Sequence, residues 1–503
     1  MSLKRALLAI ALCLGSALPA SAYVIRRDAR GLPVRWPAAS LPVRYRVGVS
    51  GAAWADEALT GAVVRAFQAW NRVPGSYLRF RCVGRTDATR AAPDGDNCVI
   101  WITTGWPYRP ETIAYTTVWL DGSGRVIDAD IELNAEAFTW SPVGAPSAVD
   151  VQNTVAHEAG HFVGLAHSLD STETTMFPII LLGEVLKRSL NPDDVEGLRA
   201  LYPIVSTELV LYAPADGARA DGEPPRLRPV LDGLLAADAS ATPSIVLRAD
   251  ADGDGTDELA LFRTGERPSF SILKPSPGDD EPVLVAYDEW AIAAGGEVED
   301  AAALDVDGDG FEELVVLKYD PILARQEVLV YPMPAWGAVS QADAQPALAR
   351  DAWRIPEGNN LLALFALRRP GGGSLGVVRA ADGALELELA TPPRVGDTTA
   401  ADAARGESVA VLLPEAFAAT EIDAADLDGD GVDEVIVLDQ DGPKATVRIY
   451  DLVPHTDGPA LMLTLRASLP VPLPKGERAL ALVGIDLDAS GLDRLGVLHA
   501  EIQ

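Results

Sequence analysis

The sequence predicts two folds in series. An α+β domain, with a twisted mixed sheet and one helix carrying the site, is expected over residues 23–203, and an all-β repeat domain over residues 204–503. Three observations lead there. First, residues 23–203 mix strand-like alternation with helical periodicity and end on the histidine-rich stretch VAHEAGHFVGLAHS, Val155–Ser168. Second, an Asp/Gly motif recurs after residue 204 at a pitch of roughly 60 residues, each copy followed by a short apolar run. Third, nearly all of the net charge of −32 lies beyond residue 203. A chain of 503 residues also exceeds what one core serves. The acidic excess disfavours nucleic acid and anionic membrane as partners, and 48% hydrophobic residues exclude wholesale disorder.

In order, Met1–Ala22 reads as a secretory signal. Lys4 and Arg5 precede an apolar run from Ala6 to Leu14, and Ala20, Ser21 and Ala22 form a small-residue cleavage site. The run is too short to span a bilayer, so a soluble, exported protein with no membrane span is expected, extracellular or periplasmic. Of the three cysteines, Cys82 and Cys98 lie beyond the signal. In an exported protein they are expected to form a disulfide, the alternative being two reduced core thiols. Pro42–Gly48 predicts a strand. Ala55–Asn71 predicts a helix with Leu59, Val63, Phe67 and Trp70 on one face. YLRFRCV and CVIWITT predict further strands, and Ile113–Leu120 and Val126–Leu133 flank the turn Asp121–Gly124 as a hairpin. Asn191 before Pro192 marks a last helix start.

His157 and His161 are four residues apart, one turn above each other on a helix. Neutral imidazoles so placed can hold one divalent ion. Gly164 can leave the helix with positive φ and return the chain, so that His167 supplies a third ligand. Three protein ligands leave a fourth position for water, the open geometry of a catalytic zinc. Glu158, beside the first ligand, is placed to take a proton from that water. Alone, Glu158 reads as a solvated helix charge and a histidine pair as chance. The eleven-residue combination is far more specific. The other two of the chain's five histidines, His455 and His499, lie far downstream, so one zinc is expected.

Met176 in TTMFP, taken alone, reads as core filler, but after this motif it resembles the Met-turn of metzincin peptidases. Ser168 after the third histidine, and LNPDDVEGLRALYP, resemble the matrixin branch. The resemblance implies a zinc endopeptidase acting on protein or peptide substrates, with an extended substrate lying along the free edge of a strand near the cleft. It also implies that Phe177–Leu182 (FPIILL) walls a pocket for an apolar residue just after the cleaved bond. The pro-segment cysteine of animal matrixins is missing, since none lies between the signal and Cys82. Asp28, in YVIRRDARG, is a candidate latency ligand instead. Its bland reading is a surface aspartate beside Arg26, Arg27 and Arg30.

The repeats read DADGDGTDEL from Asp250, DVDGDGFEEL from Asp305 and DLDGDGVDEV from Asp426. A decayed copy starts at Asp486, with Ser490 and Arg494 at its fifth and ninth positions, and the segment from Leu367 keeps glycines without acids. That makes five units. Carboxylates at positions one, three, five and nine supply hard oxygen ligands, which suits calcium. The expected sets are Asp250, Asp252, Asp254 and Glu258; Asp305, Asp307, Asp309 and Glu313; and Asp426, Asp428, Asp430 and Glu434. The spacing departs from the EF-hand and resembles the FG-GAP/VCBS type of β-propeller repeat, which implies about three structural calcium ions. Such a domain is expected to bind substrate or an extracellular or cell-surface ligand. The competing reading is a calcium-binding adhesion or scaffold protein with a vestigial peptidase domain. Intact His157, Glu158, His161 and His167 favour the enzyme.

Overall fold

The computed structural model describes residues 23–48, 56–214, 227–231, 236–238, 243–264, 268–276, 283–292, 295–333, 351–354, 361–369, 373–381, 384–390, 408–414, 421–455, 461–486 and 490–502. The expected signal, 1–22, lies outside them. The first part is built on a five-stranded mixed sheet. From one edge the order is Phe80–Thr86, Val43–Gly48, Cys98–Ile102, Val126–Asn134 and Ala114–Leu120. The first four run parallel, and Ala114–Leu120 closes the sheet as an antiparallel edge. Helix α1, Asp56–Asn71, buries the expected face of Leu59, Val63, Phe67 and Trp70. Phe67 stacks on Tyr45 of the strand Val43–Gly48 with centroids 4.0 Å apart.

Helix α2, Val151–Val163, carries the histidine motif, and α3, Pro192–Leu201, follows it. The last carbonyls of a helix lack partners within it. Here side chains from other elements supply some of the donors. Trp36 Nε1 donates to Phe162 O at 3.0 Å, and Tyr202 Oη donates to Val163 O at 2.8 Å. Nearly two turns earlier, Trp70 Nε1 donates to Ala156 O at 3.0 Å.

The expected disulfide is not formed. Cys82 pairs in register with Tyr45 on one side of Val43–Gly48, and Cys98 pairs with Arg46 on the other. Two strand spacings separate the cysteines by about 9–10 Å, beyond the ~7 Å that a disulfide spans. Both are free thiols. Cys98 is buried, and its Sγ donates to Asp96 O at 3.1 Å.

The described residues between 204 and 502 form a nearly closed, largely β region that divides into five sheets of four principal strands, the third and fourth hydrogen-bonded into one eight-stranded sheet. The first holds Ile245–Ala249, Glu258–Arg263, Ser269–Ser276 and Val283–Ala291, each antiparallel to the next, and the second holds Glu297–Leu304, Glu313–Asp320, Arg325–Pro332 and Asp351–Arg354. The third runs Leu361–Leu367 to Ser408–Leu412 and the fourth Glu421–Ala425 to Leu461–Val471, joined by a short parallel contact of their last strands. In the fifth, Glu477–Ile485 and Arg494–Ile502 combine with Ile204–Pro214 and Leu227–Leu231 from the region's beginning. The first strands of successive sheets touch, and that of the fifth touches that of the first.

The eighth position of the repeat ties neighbouring sheets together. Asp486 N donates to Asp257 at 2.8 Å, Asp250 N to Glu312 at 2.9 Å, Arg368 N to Asp433 at 2.6 Å and Asp426 N to Asp493 at 2.9 Å. The buried Arg248 guanidinium bridges Asp433 and Asp493 at the same level.

The first part sits on one face of this region. Tyr319 Oη donates to Gln152 Oε1 at 2.6 Å, Arg188 Nη1 to Pro321 O at 2.7 Å and Arg478 Nη1 to Ala38 O at 2.6 Å. Arg72 pairs with Glu299 at 2.7 Å and Arg81 with Asp439 at 3.1 Å. These contacts fall at the starts of first strands and at the turns between second and third strands. The acidic loops follow the other ends of the first strands, so they lie on the opposite face.

Candidate active site

Asp150 caps the N-terminus of α2 by accepting from Asn153 N at 2.9 Å. Gly164 ends the helix with φ 106°, and a Cβ there would lie 2.0 Å from Val34 O, so the turn requires glycine. The chain then returns as Leu165–Ala166, paired with Val24–Ile25, and delivers His167. Inside the helix, Gly160 leaves room for Met176, whose Sδ would lie 2.1 Å from a Cβ at that position.

The three imidazoles converge as the spacing predicts. His157 Nε2 lies 3.2 Å from His167 Nε2, and His161 Nε2 lies 3.0 Å from it. Ligand nitrogens on a tetrahedral zinc, at 2.0–2.1 Å from the metal, lie about 3.3 Å apart. The opposite ring nitrogens settle the tautomers. His157 Nδ1 donates to Thr175 O at 2.6 Å and His161 Nδ1 donates to Leu165 O at 3.0 Å. Because carbonyls only accept, the Nε2 lone pairs of His157 and His161 both face His167 Nε2, a donor set that suits a cation. Burial holds all three histidines neutral, depressing His157 and His161 and bringing His167 down to about 4. The residues present therefore fit one zinc ion.

Glu158 is buried beside the cluster, and its Oε2 accepts from Thr116 Oγ1 at 2.5 Å. Burial raises its carboxyl to about 7, against the lowering effect of Thr116. Thr116 lies on the edge strand Ala114–Leu120, which borders a cleft of 680 Å³. Thr112–Thr116, His157, Glu158, His161, His167 and Pro178–Ile180 line that cleft. Of the apolar run FPIILL, Pro178, Ile179 and Ile180 reach the cleft, while Leu181 and Leu182 stand exposed. Arg26 also lines the cleft. Asp28 accepts instead from the Arg30 and Leu32 amides at 2.9 Å and pairs with the Arg30 guanidinium at 2.8 Å.

The helix α3 supplies a support that the sequence does not announce. Asp194 is buried and accepts from Thr175 N at 2.7 Å and Met176 N at 3.2 Å, fixing the strip under the histidines. Thr116, Lys187 and Arg188 were likewise not singled out. The buried Lys187 Nζ donates to Ile179 O at 2.6 Å and pins the cleft wall. Only the (i, i+3) pairing of Glu184 with Lys187 could have hinted at it, since the other partners are distant in sequence.

Residues 112–203 match the matrixin family. Human matrix metalloproteinase-20 is 29% identical over 159 residues, covering 31% of this chain and 30% of that protein. Metalloendoproteinase 1 of Glycine max is 27% identical over 184 residues, covering 34% of this chain and 53% of that protein. Human neutrophil collagenase is 34% identical over 92 residues, covering 18% of this chain and 19% of that protein. The chain thus spans between about a fifth and a half of the length of these relatives. The matrixin domain implies the metzincin α+β fold and zinc dependence. No helix among the described residues is long and apolar enough to cross a membrane.

The acidic loops share one conformation. In each, the first Asp accepts from the glycine five residues on, Asp250 from Gly255 at 3.0 Å, Asp305 from Gly310 at 3.1 Å and Asp426 from Gly431 at 2.7 Å. The decayed copy keeps that bond, Asp486 from Gly491 at 2.7 Å. Ligand oxygens converge within 4.8 Å for Asp250, Asp252 and Asp254, for Asp305, Asp307 and Glu313, and for Asp426, Asp428 and Glu434. Of the expected sets, Glu258, Asp309 and Asp430 stand outside these groups. Asp309 and Asp430 accept from the amides of Phe311 and Val432, both at 2.9 Å.

Proposed function

We propose that the chain is a secreted zinc endopeptidase of protein or peptide substrates. Residues 23–203 form its peptidase domain and residues 204–503 a calcium-stabilised, five-bladed propeller-like repeat domain that binds substrate or an extracellular surface. The observation that carries the enzymatic reading is the convergence of three Nε2 atoms, those of His157 and His161 lying 3.2 and 3.0 Å from that of His167, directly beside a buried carboxyl.

His157, His161 and His167 would hold the ion, and Met176 on Gly160 supports the helix beneath them. When bound, zinc polarises the scissile carbonyl and makes water acidic at neutral pH. Glu158 accepts the proton at Oε1 or Oε2 and passes it to the leaving amine. Thr116 orients that carboxyl through its hydroxyl. An extended peptide adds antiparallel to Ala114–Leu120 through main-chain hydrogen bonds, which sets its carbonyl over the cluster. Apolar Ile179 and Ile180 suit an apolar side chain after the cleaved bond.

The test is Glu158→Ala in the full chain. Elemental analysis should show unchanged zinc, and cleavage of a denatured protein substrate should fall by several orders of magnitude. Loss of the metal, or near-normal cleavage, would remove Glu158 from the proposed role.

A further inference from the structure

The loop at Asp250 differs from a plain acidic turn. Glu258, at its end, is fully buried. Its Oε2 accepts from Ala251 N at 2.8 Å, but its Oε1 has no hydrogen-bond partner, nor has Asp250 Oδ1. Buried carboxylate oxygens without donors are costly unless a cation serves them. The same loop gathers ligand oxygens of Asp250, Asp252 and Asp254 within 4.8 Å. This donor set of hard oxygens fits calcium.

A second cation already reaches the same oxygens. The register that pairs Leu259 with Leu273 sets Lys274 opposite Glu258 on the neighbouring strand. The Lys274 ammonium contacts Asp252, lies 2.8 Å from Asp254 Oδ2 and 3.6 Å from Glu258 Oε1. Calcium needs its oxygens at 2.3–2.6 Å. An ammonium on those oxygens and a calcium ion among them exclude each other by both contact and charge. Lysine, unlike arginine, is a compact charge on a flexible stem, so it is able to withdraw.

We propose that Lys274 is a tethered cation of this loop, which holds the carboxylates together without a metal and competes with calcium for them. The inference rests on the calcium reading of the loops given above. It implies that the Asp250 loop stays folded when calcium is scarce and fills only at higher calcium.

The experiment uses the full chain and Lys274→Met, with calcium binding followed by calorimetry and melting followed in a chelator. Repulsion between a single and a double charge about 4 Å apart, even in bulk water, is worth more than tenfold in a binding constant. One calcium step should therefore tighten by at least about tenfold in the variant, while its melting temperature without calcium falls below wild type. Lys274→Gln keeps the stem and should move both readouts the same way if the methionine variant folds poorly. Equal calcium affinity in wild type and variants overturns the role of Lys274 and leaves the calcium reading standing. No calcium bound by any of them overturns both.

Discussion

Replacing Arg188 by leucine tests how the peptidase half is held together. Arg188 and Asp150 are both fully buried. Arg188 Nε donates to Asp150 Oδ1 at 2.9 Å and Nη2 to Oδ2 at 2.5 Å, while Nη1 reaches Pro321 O in the repeat region at 2.7 Å. Arg188→Leu leaves Asp150 charged with the Asn153 and Gly144 amides, at 2.9 and 3.1 Å, as its remaining donors. Breaking a buried pair from one side costs about 3–5 kcal/mol. Losing the bond to Pro321 adds about 1 kcal/mol, and the leucine recovers part of this by apolar burial, so about 4 kcal/mol is expected. For a domain of this size that corresponds to a fall of about 10 °C in melting temperature. Thermal unfolding followed by tryptophan fluorescence measures it, with Trp36, Trp70 and Trp140 as buried reporters. Asp150→Asn in the same background should recover part of the loss, because asparagine still caps the helix without a stranded charge. A fall under about 2–4 °C, equivalent to about 1 kcal/mol, would refute the reasoning. A double variant no better than the single would refute the stranded charge in particular.

Removing calcium should lower the melting temperature of the full chain, by on the order of 3 kcal/mol per filled site at calcium 100-fold above its dissociation constant; an unchanged melt in chelator rejects structural calcium. Asp28→Ala should leave peptidase activity of the signal-free protein unchanged, since that carboxylate is engaged by Arg30 and Leu32; a large gain with constant zinc would restore it as a latency ligand. Burial raises Asp130 to about 7 although it accepts from Ala92 and Cys98 amides. A carboxyl raised when folded binds its proton more tightly there, so its contribution is present at low pH and lost as pH rises from about 4 to 7. Asp130→Asn should therefore show a smaller fall in melting temperature between pH 5 and pH 8 than wild type, and identical slopes would dismiss the effect.

The site was legible where it is local in sequence. His157, Glu158, His161, Gly164 and His167 lie within eleven residues, so helical spacing and a glycine turn together predict their convergence. Thr116 and Asp194 were not legible, because each acts across the fold on a partner that no spacing rule connects to it. The cysteines failed for a related reason. Two thiols in an exported chain suggest a bond, but the strand order placed Val43–Gly48 between them, and order within a parallel sheet is a tertiary property. In the repeats, the Asp/Gly spacing located the acidic loops. The eighth-position acids went unread because their partners sit in neighbouring sheets, as with Asp433 and Arg368.

The fifth sheet joins strands far apart in the chain, with Leu209 of Ile204–Pro214 opposite Leu498 of Arg494–Ile502. A nascent chain emerging from the ribosome presents Ile204–Pro214, directly after the peptidase residues, long before its partner exists. Until Arg494–Ile502 has been made, that strand is an open edge prone to pairing with other chains. Contacts so distant along the chain also form slowly. Loss of Arg494–Ile502 should therefore be felt beside α3 as well as within the fifth sheet. A frameshift that garbles Arg494–Ile502 would act on the peptidase half through the strand that follows it.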